Sequence, residues 1–352
     1  MPTVLINKLR LGIIGCGWAT ANLHLPALRK IPQYEVIAVA DVDKKRVEEF
    51  GRKWNVRYRF ADSTALIEHP EVDAVAVCVP PGDHAGLATA AIRTGKHVFI
   101  EKPLTLTVDH ADRIVECAKD TRATILVGFN LRWHRLVRQA KAELDADRLG
   151  RLLVMRTAFT NGLCHDDGIV AWRRERSYGG GVIQDLAVHH FDLWRYLLSA
   201  EVQEISVSGR SERWQDEAAV VSARMTNGVL VSSVFASGTS ESHEVECYGE
   251  AGRLSVSCYQ CDGLRIFTGE IRGFSGLVRA AAAKATALPW MMNRMRIGGE
   301  VFASYDAQWR HFLDCVQTGK PAACSVQDGK RAVDLAVAAT ESLLTGQSMS
   351  LK

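Results

Sequence analysis

Apolar and polar positions follow two different rhythms along the chain. Up to Val127, short apolar runs alternate with amphipathic stretches. Leu11 to Ile14, Tyr34 to Ala40, Ala74 to Val79, His97 to Ile100 and Thr124 to Val127 are largely apolar. Runs of that length and continuity read as strands buried on both faces. Helical spacing appears between them, through Leu23, Ala27 and Leu28, then Ala85 to Arg93, then Asp109 to Ala118. Strand and helix in alternation predict an α/β fold with a parallel, doubly wound sheet.

After Val127 the period changes to two. Leu152 to Ala158, Ala219 to Met225, Val229 to Phe235 and Val245 to Tyr248 alternate like strands with one buried face. Asn227-Gly228 sits between two of them and is a strong hairpin signal. Strands joined by hairpins predict an antiparallel or mixed sheet, hence an α+β second domain. The expected boundary follows the last parallel strand, giving domains 1–127 and 128–352. One helix interrupts the second pattern. Ile183, Leu186, His190, Leu193, Trp194 and Leu197 fall on a mostly apolar stripe, and Asp185, His189, Asp192 and Tyr196 on another face.

Composition narrows the function. The chain has 352 residues, 47% of them apolar and 24% charged, so two ordinary globular domains are affordable. A net charge of +3, with no basic block interleaved with aromatics, argues against nucleic acid. Val4-Leu5-Ile6 is too short for a signal-peptide core, and no apolar run approaches the roughly 20 residues needed to span a bilayer. The nine cysteines are scattered, and their odd count argues against a closed disulfide framework. Cys16, Cys78 and Cys117 read as buried thiols. Cys258 and Cys261 form a C-x-x-C with no second pair, so no metal site is expected. A reducing, cytoplasmic compartment fits best.

Chemistry gathers at strand ends. The first strand runs into Gly15-Cys16-Gly17-Trp18-Ala19-Thr20, a G-x-G-x-x-T. Gly15 permits the tight turn, and Gly17 lets the backbone approach a pyrophosphate at a helix N-terminus. The second strand ends in Asp41, which either caps the next helix or accepts from adenosine ribose hydroxyls and repels a 2′-phosphate. NAD is therefore the preferred cofactor. Lys44, Lys45 and Arg46 follow and partly offset the repulsion, which keeps NADP possible. Two further strand ends, Val79-Pro80-Pro81-Gly82-Asp83-His84 and Glu101-Lys102-Pro103, should open on the same crevice. His84 either faces the nicotinamide half or caps the helix it starts. Lys102 can hold a hydroxyl or carbonyl oxygen beside a nicotinamide, although Glu-Lys-Pro also makes a plain exposed turn.

Further on, Asp185 and His189 are four apart on one helix. A carboxylate beside an imidazole raises its pKa and orients the ring, so the pair can move a proton to or from a hydroxyl. The plain alternative is a helix-surface contact. His190 reads as a core histidine with a satisfied ring nitrogen. A zinc site on His189 and His190 is disfavoured, because adjacent helix positions diverge by about 100°. Residues 271–297 hold Arg272, Arg279, Lys284, Arg294 and Arg296 around Pro289-Trp290-Met291-Met292. They read as a surface helix kinked at Pro289; a lid, an oligomer contact or a membrane-surface contact are the alternatives.

Together these motifs resemble the glucose-fructose oxidoreductase/inositol dehydrogenase/MocA-type oxidoreductases. The resemblance runs from Gly15-x-Gly17 through Asp41, Pro80-x-x-x-His84, Glu101-Lys102-Pro103, Gly128-Phe129-Asn130, Trp172-Arg173 and Gly179-Gly180-Gly181 to Asp185-x-x-x-His189-His190-x-Asp192, and ends in Val326-x-Asp328-Gly329. It departs at Thr20, where glycine or alanine is usual, and over Leu131 to His134. It implies a Rossmann domain, then a domain whose large open sheet makes homodimers or homotetramers. It implies Lys102, Asp185 and His189 as catalytic residues. Gly15, Gly17, Trp18, Ala19, Asp41, Val79, Pro80, His84, Glu101 and Lys102 are then the cofactor-binding set. Asn130, Arg132 and Arg173 join the three catalytic residues around the substrate. The implied activity is NAD(P)-dependent hydride transfer to or from a secondary alcohol of a sugar, nucleotide sugar or cyclic polyol. Two rivals are an NAD-retaining hydrolase or epimerase that oxidises a sugar transiently, and a non-enzymatic sugar sensor, which would gain nothing from the lysine and the Asp–His pair.

Overall fold

The computed structural model describes residues 8–166, 168–259, 263–268 and 300–351. Cys261 and the basic stretch 271–297 lie outside the described residues. The chain forms two compact units. The first takes 1–130, 177–179 and 305–334, and the second takes 131–176, 180–304 and 335–352.

The first unit is built on a six-stranded, wholly parallel sheet. Its strands are β1 (Leu9–Ile14), β2 (Tyr34–Ala40), β3 (Tyr58–Phe60), β4 (Ala74–Val77), β5 (His97–Ile100) and β6 (Ile125–Val127). Their spatial order is β3-β2-β1-β4-β5-β6, so the direction of winding reverses between β1 and β4. That reversal opens a crevice at the carboxyl ends of the strands, where such sheets bind ligands. The connecting helices are α1 (Leu25–Leu28), α2 (Lys44–Trp54), α3 (Ser63–Ile67), α4 (His84–Arg93) and α5 (Val108–Lys119). Asp43, Asp62 and Thr107 cap α2, α3 and α5 by accepting from main-chain N–H groups of the first turn. Every residue of β4 is buried, as its unbroken Ala-Val-Ala-Val predicts. Residues 305–334 return to this unit. Trp309 stacks on Phe99 at 4.3 Å, and its carbonyl accepts from the Tyr34 hydroxyl.

The second unit carries an eight-stranded sheet. Its strands are β7 (Leu152–Thr160), β8 (Val202–Arg210), β9 (Ala218–Met225), β10 (Leu230–Ala236), β11 (Ser242–Gly249), β12 (Gly252–Ser257), β13 (Leu264–Thr268) and β14 (Met349–Ser350). The order is β13-β12-β11-β7-β10-β9-β8-β14, and only β7 and β10 pair in parallel. Asn227-Gly228 makes the expected hairpin, with Gly228 at φ +85°. Helices α6 (Arg135–Asp145) and α7 (Val188–Leu198) belong to the same unit; α8 (Glu300–Thr318) and α9 (Val326–Thr345) follow. The period-two pattern puts Met155, Val221, Val231, Phe235, Val245 and Cys247 in one core with Ile183, Phe191 and Trp194. On the other face, Val220, Leu230 and Val234 are exposed.

That core also holds imidazoles. His243 stacks on Phe159 at 4.1 Å, and His190 lies 5.0 Å from His243. His190 Nδ1 is 2.8 Å from the Thr157 hydroxyl, which makes it the core histidine the apolar stripe predicts. Burial pushes the His190 pKa down to about 3 and that of His243 well below the usual range. In the unfolded chain both titrate near 6.5. The folded protein thus binds fewer protons, and this part of its stability is full above about pH 6.5 and is lost as pH falls toward 3. His190→Asn removes one such group. Its urea midpoint should fall less between pH 7 and pH 4.5 than that of the wild type. Equal falls would show that His190 is not held neutral in the core.

Candidate active site

The carboxyl edge of the parallel sheet is built from four strand-end segments. After β1 the chain turns at Gly15, at φ +101°. A Cβ there would stand 2.3 Å from the Cys78 carbonyl oxygen, at the end of β4. No side chain fits, and the two strand ends meet through main chain alone. Gly17 has open space around it, and Trp18 beyond it is 68% exposed. Ala19 is half-buried and leads into a π-helical turn, Thr20–His24. The Thr20 hydroxyl donates to the Gly15 carbonyl at 2.6 Å. The residue that departs from the glycine fingerprint therefore ties the loop down.

Asp41, at the end of β2, is nearly buried. Its carboxylate accepts from the main-chain N–H of Cys16 and of Asp43, both at 2.9 Å. The cap on α2 is Asp43, so Asp41 is not the helix cap. Arg46 approaches Asp41 at 3.3 Å and Asp43 at 3.5 Å.

Val79 is half-buried and Pro80 exposed beyond β4. His84 is fully buried. Its Nε2 is 2.9 Å from the Val79 carbonyl, and its Nδ1 is 2.9 Å from the Pro103 carbonyl and 3.3 Å from that of Leu104. It does not cap α4, whose cap position is Asp83. It joins the loop after β4 to the loop after β5. Burial pushes its pKa down, against the pull of those carbonyls. Glu101 ends β5 and turns its carboxylate inward: one oxygen is 3.1 Å from His24 Nε2, and the other accepts from the Lys102 N–H at 3.0 Å. Lys102 itself is half-buried, and its peptide bond to Pro103 is cis.

In the second unit, a π-helical turn at Ile183–Ala187 runs into α7. Such turns recur at functional positions. From 181 to 194 every residue is buried except Asp185 and His189, which are half-buried. The segment thus sends two titratable side chains out of an otherwise closed face. Arg173 pairs with Asp185 at 3.2 Å and lies over the Trp172 ring. The His189 ring is 5.9 Å from Phe159.

Two other expected substrate residues are buried. Asn130, in the first unit, is 4% exposed. Arg132, in the second, is 8% exposed and forks onto Asp192 at 2.8 and 2.5 Å. Arg132 and Asp192 therefore satisfy each other in the interior. Sequence reasoning passed over His24, because no local spacing rule links a histidine after a glycine loop to a strand end far downstream.

Comparison with known proteins bears on these features. Residues 9–129 match the GFO_IDH_MocA model, an oxidoreductase family with an NAD-binding Rossmann fold. Residues 141–351 match the C-terminal alpha/beta domain of that family. The chain is 29% identical to a myo-inositol 2-dehydrogenase of Thermotoga maritima, over 98% of this chain and 99% of that protein. It is 25% identical to an NAD(+) scyllo-inositol 2-dehydrogenase of Bacillus subtilis, over 98% and 97%. A crystal structure of a probable dehydrogenase from Thermotoga maritima superposes with a TM-score of 0.79 at 27% identity, covering 97% of this chain and 99% of that one.

The buried ion pair yields a direct expectation. Asp192→Ala strands the Arg132 guanidinium and should cost about 3–5 kcal/mol in denaturant unfolding. The double variant Arg132→Met/Asp192→Leu should recover most of that loss. A cost in Asp192→Ala below about 1 kcal/mol, the range of an exposed pair, would contradict the burial described.

Proposed function

Because the chain belongs to the Gfo/Idh/MocA oxidoreductase family, we propose that it interconverts a secondary alcohol of a cyclic polyol or sugar and its ketone with NAD. The observation that carries this reading is the carboxyl edge of the first sheet. A glycine loop with room for a pyrophosphate, a buried acid and a lysine all end strands on that edge, on either side of the switch point. The inositol dehydrogenases among the relatives support a polyol ring as substrate.

The cradle fits a dinucleotide. Main-chain N–H groups from Gly17 to Ala19 hold the pyrophosphate, those of Gly15 and Cys16 being already given to Ala40 and Asp41, and Asp41 accepts from the adenosine ribose. Arg46 is already committed to Asp41 and Asp43, which supports NAD over NADP. Val79, Pro80 and Lys102 line the nicotinamide half. When bound, NAD supplies the hydride acceptor. Lys102 holds the substrate oxygen and favours its negative charge. His189 takes the hydroxyl proton, and Asp185 orients the ring and stabilises its protonated form. Arg173 steadies Asp185 and borders the substrate. The exposed apolar residues Val220, Leu230 and Val234 support a homodimer or homotetramer formed through the open sheet. No disulfide joins the described cysteines, which supports a reducing, cytoplasmic setting, and no described helix is long and apolar enough to cross a membrane.

The test is a screen of inositols, hexoses and uronates with NAD⁺ and NADP⁺, read at 340 nm. With the best substrate, Lys102→Ala and His189→Ala should each lower kcat by about 10²–10⁴. NAD affinity, read from quenching of the exposed Trp18, should change less than about twofold, since neither change alters the pyrophosphate cradle. Full turnover in Lys102→Ala would remove the core of this reading.

A further inference from the structure

The lysine at the end of β5 is held by something no local pattern announces. His24 closes the π-turn that begins at Thr20 and is completely buried. Three aromatic rings surround it edge-on: Phe99 at 5.5 Å, Tyr305 at 5.4 Å and Trp309 at 5.8 Å. Its two ring nitrogens have different partners. Trp309 Nε1–H donates to Nδ1 at 3.3 Å. Indole nitrogen only donates, so Nδ1 must accept, and the ring proton is left on Nε2. Nε2 lies 3.1 Å from Glu101 Oε1. Neither Nε2 nor Oε1 makes a well-formed hydrogen bond, but at this separation in a dry pocket the attraction of N–H for carboxylate is strong. The other carboxylate oxygen takes the Lys102 N–H. Gly128 closes the pocket from the next strand end, where a Cβ would stand 2.9 Å from Glu101 Oε1.

We propose that His24 is a positioning residue for Lys102, acting through Glu101, and that Trp309 sets the tautomer that lets it do so. A line runs from the Trp309 indole through the His24 ring and the Glu101 carboxylate to the Lys102 main chain. Every link lies in the first unit. It fixes the backbone from which the lysine side chain departs. The surroundings favour the charged carboxylate: burial raises its pKa, but the His24 ring, the Lys102 charge and the Lys102 N–H outweigh that and hold it below the usual range. Glu101 therefore serves the site from behind, with its charge turned to the interior and away from the cofactor. A catalytic ammonium displaced by a fraction of an ångström loses much of its effect, so a rigid anchor behind it matters.

This proposal rests on Lys102 being the group that holds the substrate oxygen, and its test separates the two ideas. Three substitutions of His24 divide the ring's properties. His24→Gln places an N–H near the position of Nε2. His24→Asn reaches only the position of Nδ1. His24→Phe keeps the aromatic packing and removes both nitrogens. The first readout needs no substrate: the rate at which trinitrobenzenesulfonate labels Lys102 in the full-length protein, followed on the Lys102 peptide by mass spectrometry. His24→Gln should label like the wild type. His24→Asn and His24→Phe should label several times faster, with the other lysines unchanged and NAD still bound. The second readout is turnover of myo-inositol with NAD⁺, where Asn and Phe should lower kcat roughly ten- to hundredfold at nearly constant KM for NAD⁺, and Gln should restore it. Trp309→Phe, which keeps the stacking on Phe99 and removes the indole N–H, should shift Lys102 labelling in the same direction, and it stands in if His24→Asn does not fold. Wild-type labelling of Lys102 in His24→Asn, or in Trp309→Phe, would overturn the proposal. If labelling responds as expected but Lys102→Ala keeps full turnover, the anchor stands and the catalytic reading of the lysine fails.

Discussion

The first unit depends on one constraint. The carboxyl ends of its parallel strands must present main chain to a ligand and yet stay rigid. Loops at such an edge carry N–H and C=O groups that no strand partner satisfies, and leaving them buried and unpaired costs stability. Here side chains meet those groups. Thr20 donates to the Gly15 carbonyl. Asp41 accepts from the Cys16 N–H. His84 lies between the carbonyls of Val79 and Pro103 and donates its one ring N–H to one of them. Glu101 takes the Lys102 N–H and is itself held by His24. The bonds made by Thr20, by Asp41 and by the Glu101 oxygen that faces Lys102 each satisfy a polar atom and fix a loop at the same time. Rigidity at the edge is a by-product of hydrogen-bond satisfaction in the interior.

The two π-helical turns serve related ends. One places His24 in the aromatic pocket behind β5, and the other carries Asp185 just before α7. A π-turn holds one more residue than an α-turn between bonded groups and so shifts the side chains that follow it. In the second unit, the stripe from Ile183 to Trp194 stays buried while Asp185 and His189 reach the boundary with solvent. His190, one residue on from His189, belongs wholly to the core. Adjacent histidines thus have different environments, one half-buried and one fully enclosed.

What could be read beforehand follows from how local each signal is. Strands β1, β2 and β5 are apolar enough to stand out, and their observed bounds lie within a few residues of expectation. Strand β3 escaped because Tyr58-Arg59-Phe60 is short, polar at its centre and half-buried at the sheet edge. In the second sheet, β8, β12 and β13 escaped because glycine, serine and arginine blur their alternation. The glycine loop, Asp41, Lys102 and the Asp185–His189 spacing were legible because each motif is compact. Arg132 and Asp192 were not legible as a pair, being sixty residues apart in sequence with no periodicity to join them.

The sequence by itself determined the two rhythms, the strand-end placement of Gly15, Asp41 and Lys102, and the titratable residue types at positions 185 and 189. These depend on side-chain period and on residues that make only one kind of turn, which neighbours in the chain decide. Only the tertiary structure decided what each polar group spends its bonds on. It turned Glu101 inward to His24, set His84 between two carbonyls and brought Trp309 from the far end of the chain onto Phe99. A buried hydrogen bond is chosen by whatever the fold brings within about 3 Å, and that distance is unrelated to separation along the sequence.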